Sequence, residues 1–371
     1  MKHILVFVTL IYMFFIGCGQ NSSQNDKFLR IEGHVKNIPN GKIYLTEAHR
    51  WNVFLDSTEC HDGHFLFKIP VDSSFVPYMA SIYYPDSSSP FKTKPLLFFN
   101  YIRSIDSQRY FTNGFYLERG TTKLEGDMNT KQKIRVSGSK ETDIMYKFDG
   151  SFGYLGTPDA ASRQKYISYY ENIIKQSPSS YFLLQNIFQN KEQYTVTEMK
   201  TIFSLFDSIL QKSSLGNKII NYISWSQNAD AFRSISLLSP DKKYIQLVDP
   251  NAKLNMIVFW ASWCRPCKLE IPQIKIINEK YKEKGLKILS VSIDENEDAW
   301  KSAIKTERML WEQAIIAKDS SLEKAKAVYK FSSIPITIIA DNKGHVVQKF
   351  TGYDSTNIQK YEEVILKSLS Q

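Results

Sequence analysis

Two cysteines with two residues between them, in the run Cys264-Arg265-Pro266-Cys267, carry the clearest chemistry in the sequence. They follow a short apolar run at 256–260 and precede a helical pattern, so they stand where a buried strand ends and a helix begins. That position suits disulfide exchange. The nucleophile is a thiolate, which the free NH groups and positive end of a helix dipole stabilise. The two-residue gap puts Cys267 one turn on, close enough to attack and resolve a mixed disulfide on Cys264. Pro266 lacks an NH donor, costs little in a first helical turn and stiffens the loop, while Arg265 adds a positive charge that favours the thiolate. A structural zinc site would need two more ligands, and Cys60, His61 and His64 lie in a distant zone. A static disulfide across so short a gap at a helix start is strained and labile, which favours exchange. The expected cofactor is therefore none beyond the redox-active Cys264–Cys267 pair, with no metal.

Three zones position this pair. From 28 to 138 the apolar period is close to two (Leu29, Ile31, Val35; Ile43, Leu45; Phe65, Phe67). Asn40-Gly41, Asp62-Gly63 and Asn113-Gly114 read as hairpin turns, which predicts a small antiparallel β domain. From 139 to 235 the period becomes helical. A capping box opens at Thr195, with Met199, Ile202, Phe203, Phe206, Ile209 and Leu210 on one face. A second helix starts at 177–180, and Gly216-Asn217 punctuates the approach to a third; the whole predicts an α-helical spacer. From 236 to 371 short β-branched runs alternate with helical segments, an α/β pattern whose sheet is covered on both faces. The expectation is thus a multidomain chain with a C-terminal α/β domain.

The N-terminus reads as an address. Residues 1–17 hold a short positive region and an apolar stretch too short to span a bilayer, which together suit a secretory signal. The segment ends Phe15-Ile16-Gly17-Cys18, which resembles a bacterial lipobox, with Phe15 in place of the usual Leu. The reading implies lipidation at Cys18, a tether over 18–27 and a periplasmic, cell-envelope location where thiol pairs can cycle. Lys and Arg number 47 against 38 Asp and Glu, a net charge of +9, and no basic run stands out, so nucleic-acid binding is not expected. The four cysteines rule out a disulfide-stapled scaffold. Cys60-His61-Asp62-Gly63-His64 would put two histidines on one face and a cysteine on the other, a poor metal site. No nucleophile-elbow pattern supports hydrolase chemistry.

The run Phe259-Trp260-Ala261-Ser262-Trp263-Cys264-Arg265-Pro266-Cys267 makes residues 240–371 resemble the thioredoxin-fold domain of the TlpA/ResA type, membrane-anchored thiol–disulfide oxidoreductases. Pro272 matches the proline that kinks the helix of that fold, and Ser333-Ile334-Pro335 matches the loop whose cis-proline faces the active site. The resemblance implies that backbone beside Ile334 and Pro335 pairs with an extended protein substrate. Trp263 by itself reads as a residue that packs beside the active-site loop and shields it. Glu270 matches a glutamate thought to help move the proton of the buried thiol, whereas Val258 stands where thioredoxin has a buried Asp. Ile336 replaces the Thr that commonly follows the cis-proline, and 294–317 resembles an extra segment of the TlpA type. The implied partners are proteins with thiols or disulfides and a membrane electron donor. Two alternatives remain: a peroxiredoxin-like peroxidase, disfavoured by Ala261 where that family has Thr, and a binding module in which the β domain recruits a partner.

Overall fold

The computed structural model describes residues 27–48, 53–89, 91–102, 111–130, 134–148, 159–228 and 231–370. The expected signal peptide, Cys18 and the tether as far as residue 26 lie outside the described residues. The chain divides into two compact units, residues 1–149 and 150–371.

The first unit comprises β1 (Phe28–Lys36), β2 (Gly41–Glu47), β3 (Phe54–Cys60), β4 (His64–Pro70), β5 (Tyr78–Pro85), β6 (Thr93–Pro95), β7 (Phe98–Phe99), β8 (Phe111–Thr112), β9 (Phe115–Leu117), β10 (Thr121–Asp127), β11 (Ile134–Ser137) and α1 (Lys140–Lys147). They form two sheets. One is ordered β4-β1-β10-β11-β7-β8 and the other β3-β2-β5-β6, with β9 beside β5. Leu29, Ile31, Val35, Ile43, Leu45 and Cys60 share one core, so Cys60 serves packing.

The expected all-antiparallel pairing is corrected here. β1 runs parallel to β10, with Arg30 opposite Thr121, and β11 runs parallel to β7. The three turns expected to close hairpins instead carry the chain from one sheet to the other, between β1 and β2, β3 and β4, and β8 and β9. A period of two marks one buried face whichever direction the neighbour runs. Only at Asp62-Gly63 does a hairpin remnant survive: His61 and His64 exchange backbone hydrogen bonds of 3.1 and 2.9 Å, with Gly63 at φ +82°. α1 also departs from the expected spacer. Its N-cap Ser139 donates to the Tyr116 carbonyl (2.9 Å), and Tyr116 N–H donates to Thr142 Oγ1 (2.8 Å), which ties it to β9.

The second unit opens with α2 (Ala160–Gln176), α3 (Tyr181–Gln189), α4 (Val196–Phe203), α5 (Ser208–Gln211) and α6 (Ser214–Gln227). Asp159, Ser180, Thr195, Asp207 and Ser213 each cap the following helix by accepting a backbone N–H. Ile209, expected on the apolar face, is 75% exposed. The helix stops at Phe203 and restarts after the Asp207 cap, which resets the period. Gly216 lies inside α6 instead of before it; a Cβ there would come within 2.3 Å of the Leu210 and Gln211 carbonyl oxygens. The glycine thus lets the first turn of α6 close against the end of α5.

The unit continues with β12 (Leu237–Leu238), β13 (Tyr244–Ile245), β14 (Leu254–Trp260), α7 (Arg265–Tyr281), β15 (Leu286–Ser292), α8 (Glu297–Thr306), β16 (Glu312–Ile316), α9 (Ser321–Tyr329), β17 (Ile336–Asp341), β18 (Val346–Thr351) and α10 (Asn357–Leu369). The sheet order is β13-β12-β16-β15-β14-β17-β18. β14 is parallel to β15 and antiparallel to β17, and β15 is parallel to β16. Every residue of β14 is buried because the strand feeds two cores. Met256, Val258 and Trp260 join Ile271, Trp300 and Tyr361 from α7, α8 and α10 on one face. Ile257 and Phe259 join Ala325 and Tyr329 of α9 on the other. The helices α2–α6 belong to this same unit. Lys191 Nζ pairs with Glu192 (3.0 Å) and with Glu323 of α9 (3.5 Å), and Ser226 Oγ donates to the Ala327 carbonyl (3.3 Å). The expected spacer therefore packs on α9, one of the helices of the α/β domain.

Candidate functional site

β14 ends at Trp260, and the loop 261–263 leads to Cys264, which is the N-cap of α7. Cys267 N–H donates to Cys264 Sγ at 3.2 Å. A sulfur in this position receives a helix N-terminal N–H directly, which stabilises it as a thiolate once the pair is reduced. Cys264 and Cys267 are joined in a disulfide with Cα atoms 5.3 Å apart. They are 5% and 2% exposed and pack in the core shared by α7, α8 and α10. Pro266 falls in the first turn of α7, where its missing N–H removes no helical bond, and Arg265 and Pro266 are both exposed. Trp263, expected to pack as a shield, is 67% exposed and offers its ring to solvent beside the disulfide.

The Ile334–Pro335 peptide is cis. Phe259 pairs with Ile336, so the start of β17 lies beside the end of β14 and brings Pro335 to the edge that carries the cysteines. Pro335 is buried and its carbonyl accepts Gly352 N–H at 2.9 Å. Ile334 is half-buried and packs against the cluster that contains both sulfurs. Pro272 lies inside α7.

Glu270, one turn beyond Cys267, is 1% exposed. Its Oε1 accepts the Thr337 hydroxyl at 3.1 Å and the Tyr361 hydroxyl in a short hydrogen bond. Among the described residues no group hydrogen-bonds Oε2. Burial pushes the Glu270 carboxyl above its ordinary range, and the two hydroxyl donors oppose that only in part. Thr337 stands opposite Val258 in the β14–β17 register, so the Glu270 carboxyl hydrogen-bonds the cross-strand partner of that apolar position.

This placement sets a pH dependence of stability. Folding keeps Glu270 protonated above the pH at which the unfolded chain, near 4.5, loses that proton. Between that value and the raised folded one the native state binds more protons, so stability falls as pH rises through the window. Its slope there is at most about 1.4 kcal/mol per pH unit. Denaturant unfolding of the oxidised protein from pH 4 to 8 should show this decline, and Glu270→Gln should remove it. An identical decline in the variant would place its source elsewhere.

Three contributors escaped the sequence. Thr337 and Tyr361 read as a strand position and a core position of an amphipathic helix, and nothing local announced their convergence on Glu270. Asp294 read only as the start of an extra segment. It is buried and accepts Ser262 N–H (2.8 Å), Ser262 Oγ–H (2.7 Å) and Ser292 Oγ–H (2.6 Å). It thus ties the cysteine loop to the end of β15. An acidic residue directly after an apolar strand run is the signal that could have found it. Elsewhere, His61 and His64 are exposed on the face opposite the buried Cys60. Among the described residues no helix is long and apolar enough to cross a membrane.

Comparison with known proteins finds a family match within each unit. Residues 229–368 match the AhpC/TSA family, and residues 29–145 match a domain of unknown function (DUF4369) that ends within α1. A thiol-disulfide oxidoreductase ResA of Bacillus cereus is 28% identical over 152 residues, covering 41% of this chain and 78% of the relative. ResA of Bacillus thuringiensis subsp. konkukian is 32% identical over 125 residues, covering 34% of this chain and 69% of the relative. Among solved structures, the thioredoxin domain of a thiol-disulfide oxidoreductase from Bacteroides vulgatus aligns at 26% identity with a TM-score of 0.32, covering 35% of this chain and 91% of that one.

Proposed function

The chain belongs to the ResA-type family of thiol–disulfide oxidoreductases, and from that premise we propose that it exchanges disulfides with extracytoplasmic proteins through Cys264 and Cys267, working as a reductase. The observation that carries the reading is the N-capping geometry, with Cys267 N–H directed at Cys264 Sγ at the start of α7.

In the proposed cycle the Cys264 thiolate attacks a substrate disulfide, forming a mixed disulfide and expelling one substrate thiolate. Cys267 gives up its proton and attacks Cys264 Sγ. The second substrate sulfur leaves, the substrate has gained two electrons, and the Cys264–Cys267 disulfide has formed. Glu270 is the proposed acceptor of the Cys267 proton, held at Oε2. Trp263, Arg265, Ile334 and Pro335 are the proposed contacts for the substrate segment, the exposed indole supplying apolar area beside the sulfurs. The lipobox-like end at Cys18 supports a lipid-anchored place in the bacterial envelope, with a membrane electron donor returning the pair to dithiol. A peroxidase reading rests on the AhpC/TSA match, and it predicts peroxide consumption at a catalytic rate.

The test of direction is the reduction potential of the Cys264–Cys267 pair, read by equilibration in thiol–disulfide buffers. A value near about −270 mV is expected for a reductase, whereas one near about −120 mV would make the protein a disulfide-forming oxidant. A pair that never equilibrates with the buffers would overturn the exchange reading.

A further inference from the structure

A buried carboxylic acid can move a proton usefully only if the proton sits on the oxygen that is free to deliver it. In Glu270 the two oxygens differ. Oε1 is occupied twice, by Thr337 from β17 and by Tyr361 from α10, whereas Oε2 is buried and has no hydrogen-bond partner among the described residues. Both hydroxyls are themselves fully buried, so neither is held there by bulk water. The Tyr361 ring is fixed edge-on against Phe350, with centroids 4.8 Å apart, which leaves its hydroxyl little freedom to turn elsewhere.

We propose that Tyr361 is a positioning residue of the exchange reaction: together with Thr337 it saturates Oε1 of Glu270 and so confines the exchangeable proton of that acid to Oε2. This rests on the exchange reading above. When Cys267 gives up its proton, an ionised Glu270 receives it at Oε2 while Oε1 keeps its two donors, and the reverse step returns it to sulfur. No bond other than S–H and O–H changes in the transfer. The titratable group that hydrogen-bonds the Glu270 carboxyl is Tyr361 from α10, and Cys267, one turn before Glu270 in α7, adds a titratable thiol once the disulfide is reduced. β17 brings Thr337 and β14 brings Val258 opposite it; neither titrates.

The donors also act on the charge. Each stabilises the carboxylate over the acid, so removing one raises the pH at which Glu270 ionises. Tyr361→Phe keeps the ring and deletes only the hydroxyl. In full-length protein carrying 13C-labelled glutamate, the Glu270 carboxyl of the oxidised Tyr361→Phe variant should titrate about one pH unit higher than in the native chain. The pH profile for closure of the reduced pair by oxidised glutathione should move the same way, and it should not move when Tyr361→Phe is added to Glu270→Gln. Thr337→Val deletes the other donor to Oε1 and should shift both midpoints upward too, which keeps the test decisive if Tyr361→Phe folds poorly. An unmoved Glu270 titration in both variants, or a moved titration with an unmoved closure profile, overturns the role of Tyr361 and leaves the exchange reading intact. Failure of the native chain to close its disulfide at any pH would instead overturn the exchange reading itself.

Discussion

Cys264→Ser should abolish reduction of protein disulfides, lowering the rate by roughly a thousandfold or more. A serine hydroxyl is almost never ionised near neutral pH, and its oxygen cannot enter a disulfide. The Cys267 N–H, which lies 3.2 Å from Cys264 Sγ in the disulfide, would then face a neutral hydroxyl. Cys267→Ser should behave differently. The first attack still occurs at Cys264, but the mixed disulfide has no intramolecular nucleophile to resolve it, so it should persist on a non-reducing gel. A chain whose exchange rate survives Cys264→Ser would remove the pair from the reaction. Equal loss in both variants with no trapped species would mean that Cys264 is not the attacking sulfur.

Asp294→Ala should be the most damaging substitution outside the cysteines, costing about 3–4 kcal/mol of unfolding free energy. The carboxylate is the acceptor for Ser262 N–H, Ser262 Oγ–H and Ser292 Oγ–H. Its loss leaves a backbone donor of the cysteine loop without its acceptor in a part-buried site, and two hydroxyls that must turn to find others. Against a typical stability of about 5–15 kcal/mol this is a large share. Asp294→Asn should cost less, because its amide oxygen can still accept while its NH2 group meets a donor. Equilibrium unfolding in urea reads the cost, and slower closure of the reduced pair would show that the loop has lost its anchor. A change below about 0.5 kcal/mol would mean that the loop is held by packing instead.

The two compact units differ in how far local pattern carried. In the C-terminal unit nearly every expected strand and helix is present within a few residues, because each strand run is flanked by a helix with its own cap or apolar stripe. In the N-terminal unit the strand runs at 29–35, 43–45 and 65–67 were legible and their partners were not. Asn40-Gly41 and Asn113-Gly114 have the residue types of a two-residue hairpin, yet both lead from one sheet into the other. Turn chemistry records that the chain reverses, whereas the choice of sheet depends on contacts distant in sequence, such as Arg30 with Thr121.

The same division runs through the site. That a thiol pair stands at the mouth of a helix, after a strand buried on both faces, was written in residues 256–267, because helix capping and the spacing of Cys264 and Cys267 act over a single turn. That Glu270 has one saturated and one free oxygen, and that Asp294 holds the loop, required α10, β15 and β17 to be brought together across separations of 91, 32 and 67 residues. A hydrogen bond between side chains so far apart leaves no local period or motif, and only the packed core brings its donor to its acceptor.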